Sequence, residues 1–162
     1  MSLHALLTAL PALLPVLGAT VAAAQGPLSY GAPIGIEDAK KVAAATLAEA
    51  RKNNWNMAVA IVDSGANLVY FEKMDNTQLG SIEVALGKSR TAALFKRDTK
   101  ALQEAIAAGG EGLRVLRLGN STPIEGGVLL IQGGKIVGAI GVSGAASHED
   151  SQCAKAGVAV LK

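Results

Sequence analysis

The sequence is poor in charge at one end, in cysteine, and in aromatic rings. Residues 1–24 carry no Asp, Glu, Lys or Arg. Cys153 is the single cysteine of the chain. That excludes an intrachain disulfide, a four-cysteine zinc or iron–sulfur centre, and a lipoprotein anchor, which would need a cysteine at the end of the leader. Neither sign of charge forms a long run, and 15 basic against 13 acidic residues leave a net charge of +2. A nucleic-acid groove and an acidic tail are therefore excluded. Aromatics are limited to Trp55, Tyr30, Tyr70, Phe71 and Phe95.

The charge-free end is strongly apolar. Ala5–Val21 is an apolar run interrupted by Pro11, Pro15 and Gly18, and it ends in Ala22-Ala23-Ala24 before Gln25. This small-residue pattern predicts a cleaved signal peptide over residues 1–24 and a periplasmic or extracellular protein with no membrane attachment after cleavage. A retained membrane helix is the alternative; two prolines within five residues and the absence of a Lys/Arg flank argue against it. Once the leader is removed, the remaining apolar fraction is that of an ordinary globular domain, long enough for a real core.

Ile36–Lys52 predicts a helix, with Ile36, Ala39, Ala43, Leu47 and Ala50 at helical spacing and Glu37 and Asp38 at its positive end. Met57–Asp63 and Leu68–Met74 predict two strands joined by the turn Ser64-Gly65-Ala66-Asn67. Gly80–Phe95 and Thr99–Ala108 predict helices, the second closing at Gly109-Gly110; Leu113–Leu118 is ambiguous. Val128–Gln132 and Lys135–Ser143 flank a two-glycine turn and predict a hairpin. Glu149–Leu161 predicts a last helix, with Ser147 as N-cap and Asp150 three residues on. Hairpins between helices imply an α+β domain with helices packed on an antiparallel sheet.

Most chemical motifs fail on spacing. Gly87-Lys88-Ser89 lacks the earlier glycine of a phosphate-binding loop, because Ile82 stands there. Gly138, Gly141 and Gly144 do not have dinucleotide spacing and read instead as close packing of a strand. His148-Glu149 lacks the second histidine of a zinc helix, Gln152 standing in its place, so no metal set is assigned. Cys153 reads as a core residue, and Asn120-Ser121-Thr122 as an incidental sequon. Lys88, Arg90 and Glu83 share one helix, and two polar loops remain, Gly119–Gly127 and Gly144–Asp150.

Taken in order, the segments resemble a known family. Ala58–Val69, reading AVAIVDSGANLV, then Met74-Asp75 and Lys88–Ala93, reading KSRTAA, resemble the first half of the GlcG/HbpS-like haem-degrading family. Thr122–Gly127, reading TPIEGG, Gly138–Gly144, reading GAIGVSG, and the segment from Glu149-Asp150 through Cys153–Gly157 are similar to its second half. The likeness covers residues 34–162 as a single domain. It implies a profilin-like fold of α/β/α layers with a five-stranded antiparallel sheet, and a ring-like homo-oligomer, commonly an octamer. It also implies haem or iron as a ligand, with roles in haem sensing or degradation. The chain departs from the family pattern at Glu72-Lys73 before Met74-Asp75 and at Gly119-Asn120-Ser121, both beside the implied ligand loops.

A haem site needs an axial ligand, apolar walls and cations for two propionates. The candidate ligands are His148, Met74 and Cys153, and the candidate cations Lys88, Arg90, Arg114 and Arg117. With so few aromatics, a shallow or intersubunit site near Thr122, Lys88, Arg90 and His148 is expected rather than an enclosed cage. Two alternatives stay open: a small-carboxylate, glycolate-like binder or enzyme with Lys88 and Arg90 as an anion clamp, and a structural or signalling oligomer. No residue stands out as a general acid or base, so no catalytic step is assigned.

Overall fold

A computed structural model describes residues 28–161. The leader predicted over residues 1–24 lies outside the described residues. Element order is β1 (Ser29–Tyr30), α1 (Ile36–Lys52), β2 (Ala58–Asp63), β3 (Leu68–Lys73), α2 (Ser81–Phe95), α3 (Thr99–Ala107), a 3-10 segment (Gly110–Arg117), β4 (Gly127–Gln132), β5 (Lys135–Ser143) and α4 (Ser147–Val158). The ambiguous stretch Leu113–Leu118 falls mostly in the 3-10 segment.

β5 is the central strand. It pairs antiparallel with β2 through Ala58↔Ser143 to Asp63↔Gly138, and antiparallel with β4, while β2 pairs antiparallel with β3. β1 pairs with β5 in parallel, Ser29 opposite Lys135 and Tyr30 opposite Ile136. The sheet is thus five-stranded but mixed, correcting the expected wholly antiparallel one. A two-residue strand has no periodicity to announce it. It is held by tertiary contacts: the Tyr30 hydroxyl donates to the Ala93 carbonyl at 2.8 Å, and Lys96 Nζ lies 4.3 Å from the Tyr30 ring centroid.

Alternation along the strands sorts side chains by size. On one face Val59, Ile61, Val128, Leu130, Ile140 and Val142 pack with Leu47 of α1 and with Cys153 and Ala154 of α4. On the other, Ala58 and Ala60 meet Ala85, while Val62, Leu129 and Ala139 meet Ala92 and Ala93, all of α2. The result is an α/β/α stack in which α2 approaches the sheet closely, because the residues between them are largely Ala and Gly. At Gly141 an added Cβ would strike the Ala85 carbonyl and lie 2.5 Å from the Ser89 backbone nitrogen.

The turns follow local chemistry. Asp63 Oδ1 accepts the backbone N–H groups of Gly65 and Asn67 at 2.8 and 2.9 Å, and Gly133 and Gly134 adopt φ of 54° and 73° in the β4–β5 turn. The start of α4 differs from the expected Ser147 cap. Ala146 precedes the first turn, and its N–H donates to Glu149 Oε2 at 2.9 Å. Asp150 is not available for capping because its carboxylate points into the protein.

Gly141→Ala is expected to cost about 1–3 kcal/mol through overpacking against α2, read as a lower urea midpoint. Gly80→Ala, at a helical φ of −63° with nothing near the added methyl, should leave the midpoint unchanged or raise it.

Candidate functional site

Helix α2 presents Glu83, Leu86, Gly87, Arg90 and Leu94 as one stripe at helical spacing, and this stripe floors an open cleft of about 660 Å³. Gly65 and Ala66 of the β2–β3 turn line it, as do Asn120, Ser121 and Thr122 from the loop before β4. The loop is pinned to the helix. The Thr122 N–H donates to Thr91 Oγ1 at 2.7 Å, and that hydroxyl donates to the Gly87 carbonyl at 2.7 Å. Thr122 Oγ1 sits where a Cβ on Gly87 would be, so the glycine is what lets the hydroxyl reach the helix. Ser121 is spent locally, its hydroxyl donating to the Leu118 carbonyl at 2.8 Å.

Arg90 and Glu83 are both exposed and form no ion pair among the described residues. The cleft therefore offers a free guanidinium, a free carboxylate, a threonine hydroxyl and a few apolar side chains. Such a set suits a flat ligand carrying carboxylates, bound from one side.

Lys88 is elsewhere. Its side chain is 1% exposed, and Nζ donates to Asp150 Oδ2 at 2.7 Å and to the Val142 carbonyl at 3.0 Å. Asp150 Oδ1 accepts the Ala145 N–H at 3.1 Å. Burial pushes the Asp150 carboxyl above its ordinary range, opposed by the Lys88 ammonium and backbone donors. Gly126 makes the pair possible: its φ is +124°, and an added Cβ would lie 2.8 Å from Nζ and 2.9 Å from the Asp150 Cβ. Lys88 and Arg90 consequently cannot clamp one anion together, which corrects the expected Lys88/Arg90 pairing.

Of the four residues expected around a ligand, the fold brings together Arg90 and Thr122. His148 is exposed at the start of α4, in the α1/α4 layer, and does not line the cleft. Met74 Sδ accepts the Met57 N–H at 3.5 Å and borders a separate depression with Glu72 and Asp75. Cys153 is fully buried, and burial pushes its thiol up to about 12. Arg114 and Arg117 are exposed on the 3-10 segment, away from the cleft. Sequence reasoning overlooked Leu86 and Leu94, although their spacing from Arg90 on α2 announces a shared face. It also overlooked Asp150 as the partner of Lys88, for which a separation of 62 positions along the chain left no local signal.

The model of the family described as haem degrading protein HbpS-like matches residues 34–159. The chain belongs to the HbpS-like family. Protein GlcG of Escherichia coli K12 is 39% identical over 105 residues, covering 65% of this chain and 77% of GlcG. A crystallised double mutant of Streptomyces reticuli HbpS superposes with a TM-score of 0.75 at 30% identity, covering 94% of this chain and 99% of that one. A structure of a PduOC–haem complex superposes with a TM-score of 0.71 at 25% identity, covering 78% of this chain and 94% of that one. The HbpS-like fold is thus shared over nearly the whole described region.

Breaking the buried pair should be costly. Lys88→Met or Asp150→Leu alone is expected to lower unfolding free energy by about 3–5 kcal/mol, and the double variant by less than the sum. Urea unfolding of the four-member cycle measures this; strictly additive losses would count against the pair.

Proposed function

We propose that this protein binds haem in the Arg90–Thr122 cleft and works in haem degradation or sensing outside the cytoplasm, as a homo-oligomer of octameric size. The observation that carries the reading is the free Arg90 guanidinium beside the Thr122 hydroxyl in an open, partly apolar cleft, in a chain of the HbpS-like family. The residues fit the group. Arg90 would hold a propionate, Ala66, Leu86 and Leu94 would contact the porphyrin edge and face, and Thr122 and Glu83 would offer oxygen donors. Haem bound there would supply a redox-active iron; the chain's own part is to bind it, orient it and leave one face open.

No histidine, methionine or cysteine lines this cleft, so the reading predicts ligation through oxygen rather than imidazole. Exported location is supported by the charge-free run ending in Ala22-Ala23-Ala24. Association is supported by apolar side chains left in water, among them Leu79, which is 82% exposed, and Leu68, which is 48% exposed.

Hemin titration tests the site. A saturable Soret change at micromolar hemin is expected. Arg90→Ala should weaken it at least about tenfold, the size of a lost hydrogen bond to a charged group. His148→Ala should keep it. Loss of the signal in His148→Ala with retention in Arg90→Ala would move the site to the start of α4, and no saturable change at all would end the haem reading. N-terminal sequencing of protein recovered outside the cytoplasm should begin at Gln25.

A further inference from the structure

A second cavity lies beyond the end of α2, where α3 and the 3-10 segment fold back on each other. Gly109 and Gly110, at φ of 70° and 52°, reverse the chain between them. Gly112 then packs so tightly on Ala105 that a Cβ would meet the Ala105 carbonyl, which joins the two segments there. Beside this contact lies a cavity of about 290 Å³, walled by Phe95, Leu102, Ala105, Val115 and Leu118. That size is at the small end of ligand sites. Arg97 and Arg114 also line the cavity.

The two arginines differ. Arg114 makes only a loose, exposed pair with Glu111 at 3.6 Å. Arg97 has no ion pair among the described residues, and its Nε donates to the Phe95 carbonyl at 3.1 Å. That single bond orients the guanidinium and leaves its two terminal nitrogens without a hydrogen-bond acceptor among the described residues. A planar fork beside an apolar hollow matches a planar anion with a hydrocarbon tail.

We propose that the cavity between α3 and the 3-10 segment binds a small monocarboxylate with a short apolar tail, the carboxylate held by Arg97 and the tail seated on Phe95, Leu102 and Val115. The site is separate from the Arg90–Thr122 cleft and shares no residue with it. Its apolar lining selects against polar hydroxy acids, which would leave a hydroxyl buried without a partner.

Chemical-shift titration of the full ¹⁵N-labelled chain with hexanoate tests this, with 1-hexanol and hexylamine as tail-matched controls. Hexanoate should give saturable shifts at the amides of Ala101, Ala105, Gly112 and Val115, and bind at least about tenfold more tightly than either control. Arg97→Gln should remove that advantage while leaving hexanol binding as it was. Ala101→Trp, at an exposed position that borders the cavity, should block all three ligands with the thermal melt preserved. The proposal is overturned by equal affinity for acid, alcohol and amine, by shifts confined to the Arg90 cleft, by hexanoate binding that ignores Arg97→Gln, or by no saturable shift. The Arg97→Gln comparison decides the matter even if Ala101→Trp does not fold.

Discussion

The contact between Lys88 and Asp150 runs from one helical layer to the other, past the end of β4, and sets how α2 lies on the sheet. Both groups are almost fully buried, so neither can turn away to water without stranding its partner. Once Lys88 points inward, α-helix geometry fixes the rest. Leu86 and Arg90 lie two residues to either side, roughly 200° around the helix, and must face out. Gly87 lies between the two directions, where the Thr122 loop comes down on it. The cleft is therefore the reverse side of the ion pair. The same pair draws Asp150 inward at the start of α4, leaving Glu149 to cap the helix.

The sheet divides the hydrophobic residues unequally. Its α1/α4 face carries Val, Leu and Ile, and the α2 face carries mainly Ala and Gly. Small residues bury less area each, so this face gains its cohesion from close backbone approach. Close approach is what brings Lys88 within reach of Asp150 across the sheet. The abundance of alanine and glycine in the chain thus has a mechanical role: it sets the depth at which α2 sits.

An open cleft with one free arginine and oxygen donors is modest equipment for a large cofactor. The scarcity of aromatic residues is consistent with it, since an enclosed porphyrin pocket needs broad apolar walls that this chain does not supply. The site is built from the outward stripe of a single helix and two loops. Its affinity would come from a charged contact and partial burial, and its exposed face would stay open to solvent or to another subunit.

Local chemistry made much of this visible in one dimension. The period of α1, the run lengths of β2 and β5, the two-glycine turn, and the ordered segments shared with the HbpS-like family were all legible, because each depends on neighbours a few residues apart. So was the grouping of Arg90 with the polar loop of Thr122. The parallel strand β1, the burial of Lys88, its pairing with Asp150 and the separation of His148 from the cleft were not. A two-residue strand has no pattern, and the carboxylate that buries Lys88 stands 62 positions further along the chain, beyond any local signal. Sequence alone determined the elements and the residue types available for binding. Tertiary structure decided which of two neighbouring cations faces water, because only packing across the sheet supplies a carboxylate to bury one of them.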